Sequence, residues 1–126
     1  MLNRPLYLNR LISLKDKQLI KIITGIRRCG KSALFELFQD YLLQNGVSKQ
    51  QIQSINFEEN DNEDLQNYKL LYQHIKKNLV PDKMNYIFLD EIQNVPEFQK
   101  TVDSLYIQKN VDLYVTGSNA YLLSGE

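Results

Sequence analysis

Gly25-Ile26-Arg27-Arg28-Cys29-Gly30-Lys31-Ser32, entered directly from Leu19-Ile20-Lys21-Ile22-Ile23-Thr24, decides the fold of this chain. The six leading residues are rich in β-branched side chains and run into glycine, which predicts a buried strand ending in a turn. Beyond the turn, Leu34, Phe35, Leu37, Phe38, Tyr41 and Leu42 recur on one side of a helix that Gly46 can close. A glycine, four residues and Gly-Lys-Ser between a strand and a helix is the arrangement that folds main-chain N–H groups around a phosphate. Gly25 and Gly30 accept backbone angles that other residues resist, and the helix presents its positive end to the anion. Lys31 would neutralise the β- and γ-phosphates, and the Ser32 hydroxyl would ligate Mg²⁺. The expected nucleotide contact is therefore the loop of Gly25, Ile26, Arg27, Arg28, Cys29, Gly30, Lys31, Ser32 and Ala33. Arg27, Arg28 and Cys29 hold variable positions, and the arginines read as charges near the nucleotide rather than as catalysts. The bland alternative, a glycine turn with an exposed lysine, loses ground because both flanking elements are the right ones.

Working outward, Leu6 to Leu14 repeats apolar residues at helical spacing, opened by Pro5. Ile52 to Phe57 predicts a second strand, and Leu65 to Leu79 a helix, with the acidic run Glu58 to Asp64 as a solvated loop between them. Tyr86 to Asp90 is an apolar run ending in a carboxylate, the pattern of a strand buried on both faces with its tip exposed. A helix is expected from about Pro96, burying Phe98, Val102 and Leu105, followed by a last strand over Val111 to Thr116. Strands alternating with helices give an α/β fold of three layers, a mainly parallel sheet covered on both faces with right-handed crossovers. Ligands in such sheets bind beyond the carboxyl ends of the strands.

Asp90 and Glu91 stand at that edge with separable jobs. Asp90 would hold Mg²⁺, and Glu91 would orient and deprotonate the water that attacks the γ-phosphate. Thr116, Ser118 and Asn119 end the next strand; they either place a hydroxyl or amide near the γ-phosphate or simply make a turn, since Gly-Ser-Asn is good turn chemistry. Asn56 reads either as a restraint on Glu91 or as a polar residue on the solvent side of its strand. His74 reads as an ordinary helix residue.

Composition narrows the classes further. The 126 residues suit one domain, expected over 1–126 as a helical lead-in at 1–18 and a nucleotide-binding core at 19–126. Fifteen basic and fifteen acidic side chains cancel, so the chain lacks the positive field of a protein that grips nucleic acid through phosphates. Single Cys29 and single His74 disfavour an internal disulfide or a zinc site. No apolar run is long enough to span a bilayer and no signal peptide is visible, which predicts a cytoplasmic protein with no membrane partner.

The same motifs, with Phe88-Leu89-Asp90-Glu91-Ile92-Gln93 and Tyr114-Val115-Thr116-Gly117-Ser118-Asn119-Ala120, resemble the AAA+ superfamily of P-loop ATPases. Within it they are similar to the prokaryotic archaeal-ATPase-like family, in which an AAA domain precedes a C-terminal domain of unknown function. The resemblance implies ATP and Mg²⁺ as ligands, Lys31 and Ser32 as Walker A residues, and Asp90 and Glu91 as Walker B residues. It also implies Ser118 or Asn119 as the first sensor and a sheet order of 5-1-4-3-2. The sequence stops at Glu126, before a fifth strand, an arginine finger and a lid, so an N-terminal part of a longer ATPase is expected, with weak activity in isolation and a homo-oligomer as the full-length form. A protein partner is compatible with this reading, and nucleic acid stays open. The alternatives are a helicase motor fragment, since Asp90-Glu91-Ile92-Gln93 has the Asp-Glu-x-Gln form, and a nucleotide-sensing module without hydrolysis.

Overall fold

Residues 4–23 and 28–117 are described by the computed structural model. In chain order, the helices are α1 (Arg4–Leu14), α2 (Arg28–Gln44), α3 (Tyr68–Lys77) and α4 (Phe98–Tyr106), and the strands β1 (Lys21–Ile23), β2 (Ile52–Asn56), β3 (Asn85–Asp90) and β4 (Val111–Thr116). Among the described residues the strands form one sheet in the order β1-β4-β3-β2, with every pairing parallel. That order contains the 1-4-3-2 run expected from the resemblance. Ile23 pairs with Thr116 and Asn56 with Asp90, so the carboxyl ends of the strands finish level along one edge.

Every residue of β3 and β4 is buried, and strand alternation divides their side chains between two cores. Tyr86 and Phe88 of β3 and Tyr114 of β4 pack with Leu11 of α1 and Leu34, Phe35, Phe38 and Leu42 of α2. Ile87, Leu89, Leu113 and Val115 turn the other way, onto Leu71 and Ile75 of α3 and Val102 and Leu105 of α4. The result is the three-layer α/β arrangement the sequence predicts. Aromatic rings organise the α1/α2 side: Phe88 stacks on Tyr114 at 4.9 Å between centroids and meets the edge of Phe35 at 5.1 Å.

Element ends differ from the sequence pattern for local reasons. β1 begins only at Lys21, because the N–H of Leu19 closes a tight turn onto the Lys17 carbonyl instead of entering the ladder. α2 ends as expected at Gly46, whose φ of +93° lets the Val47 N–H return to the Leu42 carbonyl. The acidic run winds into a 3-10 helix over Asn60–Leu65 that keeps its carboxylates exposed while Leu65 packs against the core. α3 starts at Tyr68 because the Asn67 side chain caps it, accepting from the N–H groups of Lys69 and Leu70. Ahead of α4, Glu97 adopts a left-handed backbone (φ 58°), so the helix starts at Phe98 rather than at Pro96. No helix among the described residues is long and apolar enough to cross a membrane.

The amino ends of the strands carry a polar network that the sequence pattern does not announce. Lys21 and Asp112, only 3% and 2% exposed, form a buried ion pair, and the Lys21 ammonium also donates to the Lys17 carbonyl. Asp112 accepts further from the Asp16 N–H at 2.8 Å and the Tyr114 hydroxyl at 2.7 Å, while the Tyr86 hydroxyl donates to Asp16 at 2.7 Å. Burial opposes ionisation of Asp16, but hydrogen bonds from Lys15 and Tyr86 and the charges of Lys15 and Lys21 outweigh it and hold the carboxyl below its ordinary range. Burial first, and the nearby carboxylates second, push the Tyr86 and Tyr114 hydroxyls well above the usual phenol value. Both tyrosines therefore stay protonated donors.

Two stability predictions follow from these layers. Phe88→Ala should cost about 3–5 kcal/mol in urea denaturation by emptying the space between Phe35, Phe38 and Tyr114. Lys21→Met should cost a similar amount, about 3–5 kcal/mol, because it strands the Asp112 carboxylate in the interior; a loss near zero in the same measurement would show that Asp112 finds water instead.

Candidate functional site

At the opposite end of the sheet, alternation brings Asp90 and Thr116 onto the α1/α2 face, two residues beyond Phe88 and Tyr114. Arg28, Cys29, Gly30 and Lys31 form the first turn of α2, and Ser32 follows in the next. The Ser32 hydroxyl donates to Asp90 Oδ2 at 2.5 Å, across 58 residues of sequence. The Thr116 hydroxyl donates to Asp90 Oδ1, so the carboxylate is held from both sides by hydroxyls of α2 and β4. Thr116 Oγ1 in turn accepts the backbone N–H of Glu91 at 3.0 Å. One threonine thus fixes both acidic residues, which are 5% and 6% exposed.

Glu91 turns sharply out of β3. Its backbone is left-handed (φ 58°, ψ 49°), a conformation that costs a non-glycine residue about 1–3 kcal/mol and persists only where its surroundings enforce it. Those surroundings are visible. The Glu91 carbonyl accepts the Asn94 N–H at 3.1 Å, starting a 3-10 helix over Ile92–Asn94 whose Ile92 is fully buried. On the other side, the Phe57 N–H takes the Asp90 carbonyl at 2.9 Å and completes the ladder to β2. The side-chain amide of Gln93 donates to Glu91 Oε1 at 2.8 Å.

Ser32, Asp90 and Glu91 therefore meet at one edge, with Ala33 half-buried one residue further along α2. Thr116 joins them through Asp90 rather than as a free hydroxyl. Gly25, Ile26, Arg27, Ser118 and Asn119 lie outside the described residues. Asn56 is half-buried and closes its own turn: its side-chain oxygen accepts the Glu58 N–H at 3.0 Å, and its carbonyl accepts from Asn62. His74 sits on α3, where its carbonyl receives the Asn78 amide.

Sequence reasoning missed the contact of Gln93 with Glu91, although the Asp-Glu-x-Gln spacing was in view. It also missed the Lys21–Asp112 pair. A lysine and an aspartate at the starts of two otherwise apolar strands were the available signal.

A family model described as an AAA domain matches residues 17–126. An uncharacterised protein of Haemophilus influenzae is 42% identical over 129 residues, a match that takes in all of this chain and 32% of the relative. The chain thus spans about a third of the length of that curated relative. No solved structure matches. The family match runs through all four strands described above and through Ser32, Asp90 and Glu91, and on that ground the chain belongs to the AAA domain family, a family of AAA-type ATPase-like nucleotide-binding domains.

Proposed function

We propose that this chain carries the ATP-binding and Mg-dependent ATP-hydrolysing site of an AAA-type ATPase. The observation that supports it most directly is the 2.5 Å hydrogen bond from Ser32, the last residue of the Gly-Lys-Ser sequence, to Asp90 at the tip of β3. A hydroxyl and a carboxylate oxygen in contact are hard donors of the kind Mg²⁺ takes from a protein when phosphates and water fill its remaining positions. In this reading Ser32 and Asp90 hold the metal, which when bound would neutralise charge on the phosphate oxygens.

The main chain of Gly25 to Ala33 wraps the phosphates at the start of α2, and Lys31 pairs with the terminal ones. Glu91 serves as general base toward the attacking water, and Ser118 or Asn119 contacts the γ-phosphate. Thr116, bonded to Asp90 and to the Glu91 backbone, keeps metal ligand and base in fixed relation. Residues 1–18 serve as a helical lead-in to a core at 19–126. The whole protein is a cytoplasmic homo-oligomer whose arginine finger comes from a neighbouring subunit or a later segment. Such a finger is worth on the order of 10³ to 10⁵ in rate in related phosphoryl-transfer enzymes.

Mg-ATP at about 100 times its dissociation constant should stabilise the whole protein by roughly 2.7 kcal/mol, read as a rise of several degrees in Tm. Lys31→Ala should abolish the rise; no calorimetric binding of nucleotide at millimolar concentration to well-folded protein would sink the assignment. The two carboxylates should separate in kinetics. Asp90→Asn should weaken the Mg²⁺ dependence of binding, whereas Glu91→Gln should leave ATP bound and unhydrolysed, and equal losses of nucleotide affinity in both variants would contradict their separate roles.

A further inference from the structure

We infer that Gln93 is a positioning residue for hydrolysis: its side-chain amide fixes the direction of the Glu91 carboxylate. The inference rests on the reading of Glu91 as the base and adds to it the group that aims it. Gln93 Nε2 lies 2.8 Å from Glu91 Oε1. An ionised carboxylate only accepts hydrogen bonds, so the amide must present its nitrogen there, and this settles which way round the amide sits. Turned this way, Gln93 Oε1 is left buried with no hydrogen-bond partner. A buried amide oxygen without a donor is costly, and a glutamine serving only as packing would be free to rotate toward a donor or solvent. Its orientation is instead the one that serves Glu91.

The platform under Gln93 is rigid. Ile92 and Val95 on either side of it are fully buried, the Val95 N–H returns to the Ile92 carbonyl at 3.0 Å, and the Asn94 side chain donates to the Phe57 carbonyl at 3.2 Å. Among the described contacts, Glu91 is pinned at its backbone N–H by Thr116 and at one carboxylate oxygen by Gln93. Fixing one oxygen sets the plane of the carboxylate and hence the direction of the other. That is the geometric demand on a general base, whose lone pair must meet a water in one place. The Asp90 side of the site receives nothing from Gln93 in this arrangement, so metal and nucleotide binding should be indifferent to it.

The test compares wild type, Gln93→Glu and Gln93→Met in the whole protein. Both substitutions keep the side-chain length and remove the N–H donor. Single-turnover and steady-state assays should show kcat lowered about 10- to 100-fold, the range typical of losing the partner that orients an active group, with KM and the affinity for a non-hydrolysable ATP analogue within about twofold of wild type. Wild-type kcat in either variant overturns the inference, as does a parallel loss of nucleotide affinity. A readout independent of hydrolysis completes the test: with glutamine side chains labelled with nitrogen-15, the Gln93 amide resonances should move on Glu91→Ala in the absence of nucleotide. Unmoved resonances would break the Gln93–Glu91 link whatever the kinetics. Full turnover by Glu91→Gln alongside moved resonances would instead fault the choice of Glu91 as base, and Gln93 as its aiming group would fall with it.

Discussion

Burial of β3 and β4 along their whole length leaves the polar groups they carry without solvent, so each must find a partner within the sheet or at its ends. The sheet meets this demand by sorting polarity toward its two edges. On the face toward α1 and α2, β4 reads Asp112, Tyr114, Thr116 and β3 reads Tyr86, Phe88, Asp90. Aromatic rings fill the middle, and carboxylates stand at the ends. At the amino edge Asp112 is neutralised by Lys21, and Asn85 spends its side chain on the Val80, Lys83 and Asn110 main chain. At the carboxyl edge, among the described residues, Asp90 accepts from the hydroxyls of Ser32 and Thr116. One edge meets its carboxylate with a buried lysine; at the other, the described partners of the carboxylate are neutral hydroxyls.

Much of this arrangement was legible from residue pattern, and the reason is the same burial. A strand covered on both faces must be written as a continuous apolar run, so Tyr86 to Asp90 and Val111 to Thr116 could be located closely, the latter to the residue. α2 and α4 carry apolar residues at helical spacing because each buries only one stripe. What could not be read were features set by single side chains acting on the backbone. The cap at Asn67 and the left-handed turns at Glu91 and Glu97 decide where elements begin, yet nothing in their local composition distinguishes them from neighbouring polar residues.

The site divides along the same line. Ser32, Asp90 and Glu91 could be picked out as candidates because phosphate and metal chemistry demands particular residue types at strand and helix ends. Their mutual geometry was not, since it depends on alternation placing Asp90 and Thr116 on one face and on a strained backbone redirecting Glu91. Gln93 shows the limit most clearly. Its spacing fits more than one family of motors, and only the orientation of its amide, donor toward Glu91 and oxygen left without a partner, gives it a specific task.

The lead-in before β1 is joined to the sheet more firmly than a peripheral helix needs to be. Leu11 of α1 lies in the core with Leu34, Phe35 and Phe38, and Asp16 reaches both Asp112 and Tyr86. The family match begins at residue 17, after all of these contacts. A boundary for recombinant expression drawn from sequence similarity alone would therefore cut inside the folding unit. It would uncover the part of α2 that packs on Leu11 and take from Asp112 one of its three donors, so that a truncated preparation loses solubility for reasons unrelated to the carboxyl edge four residues of strand away.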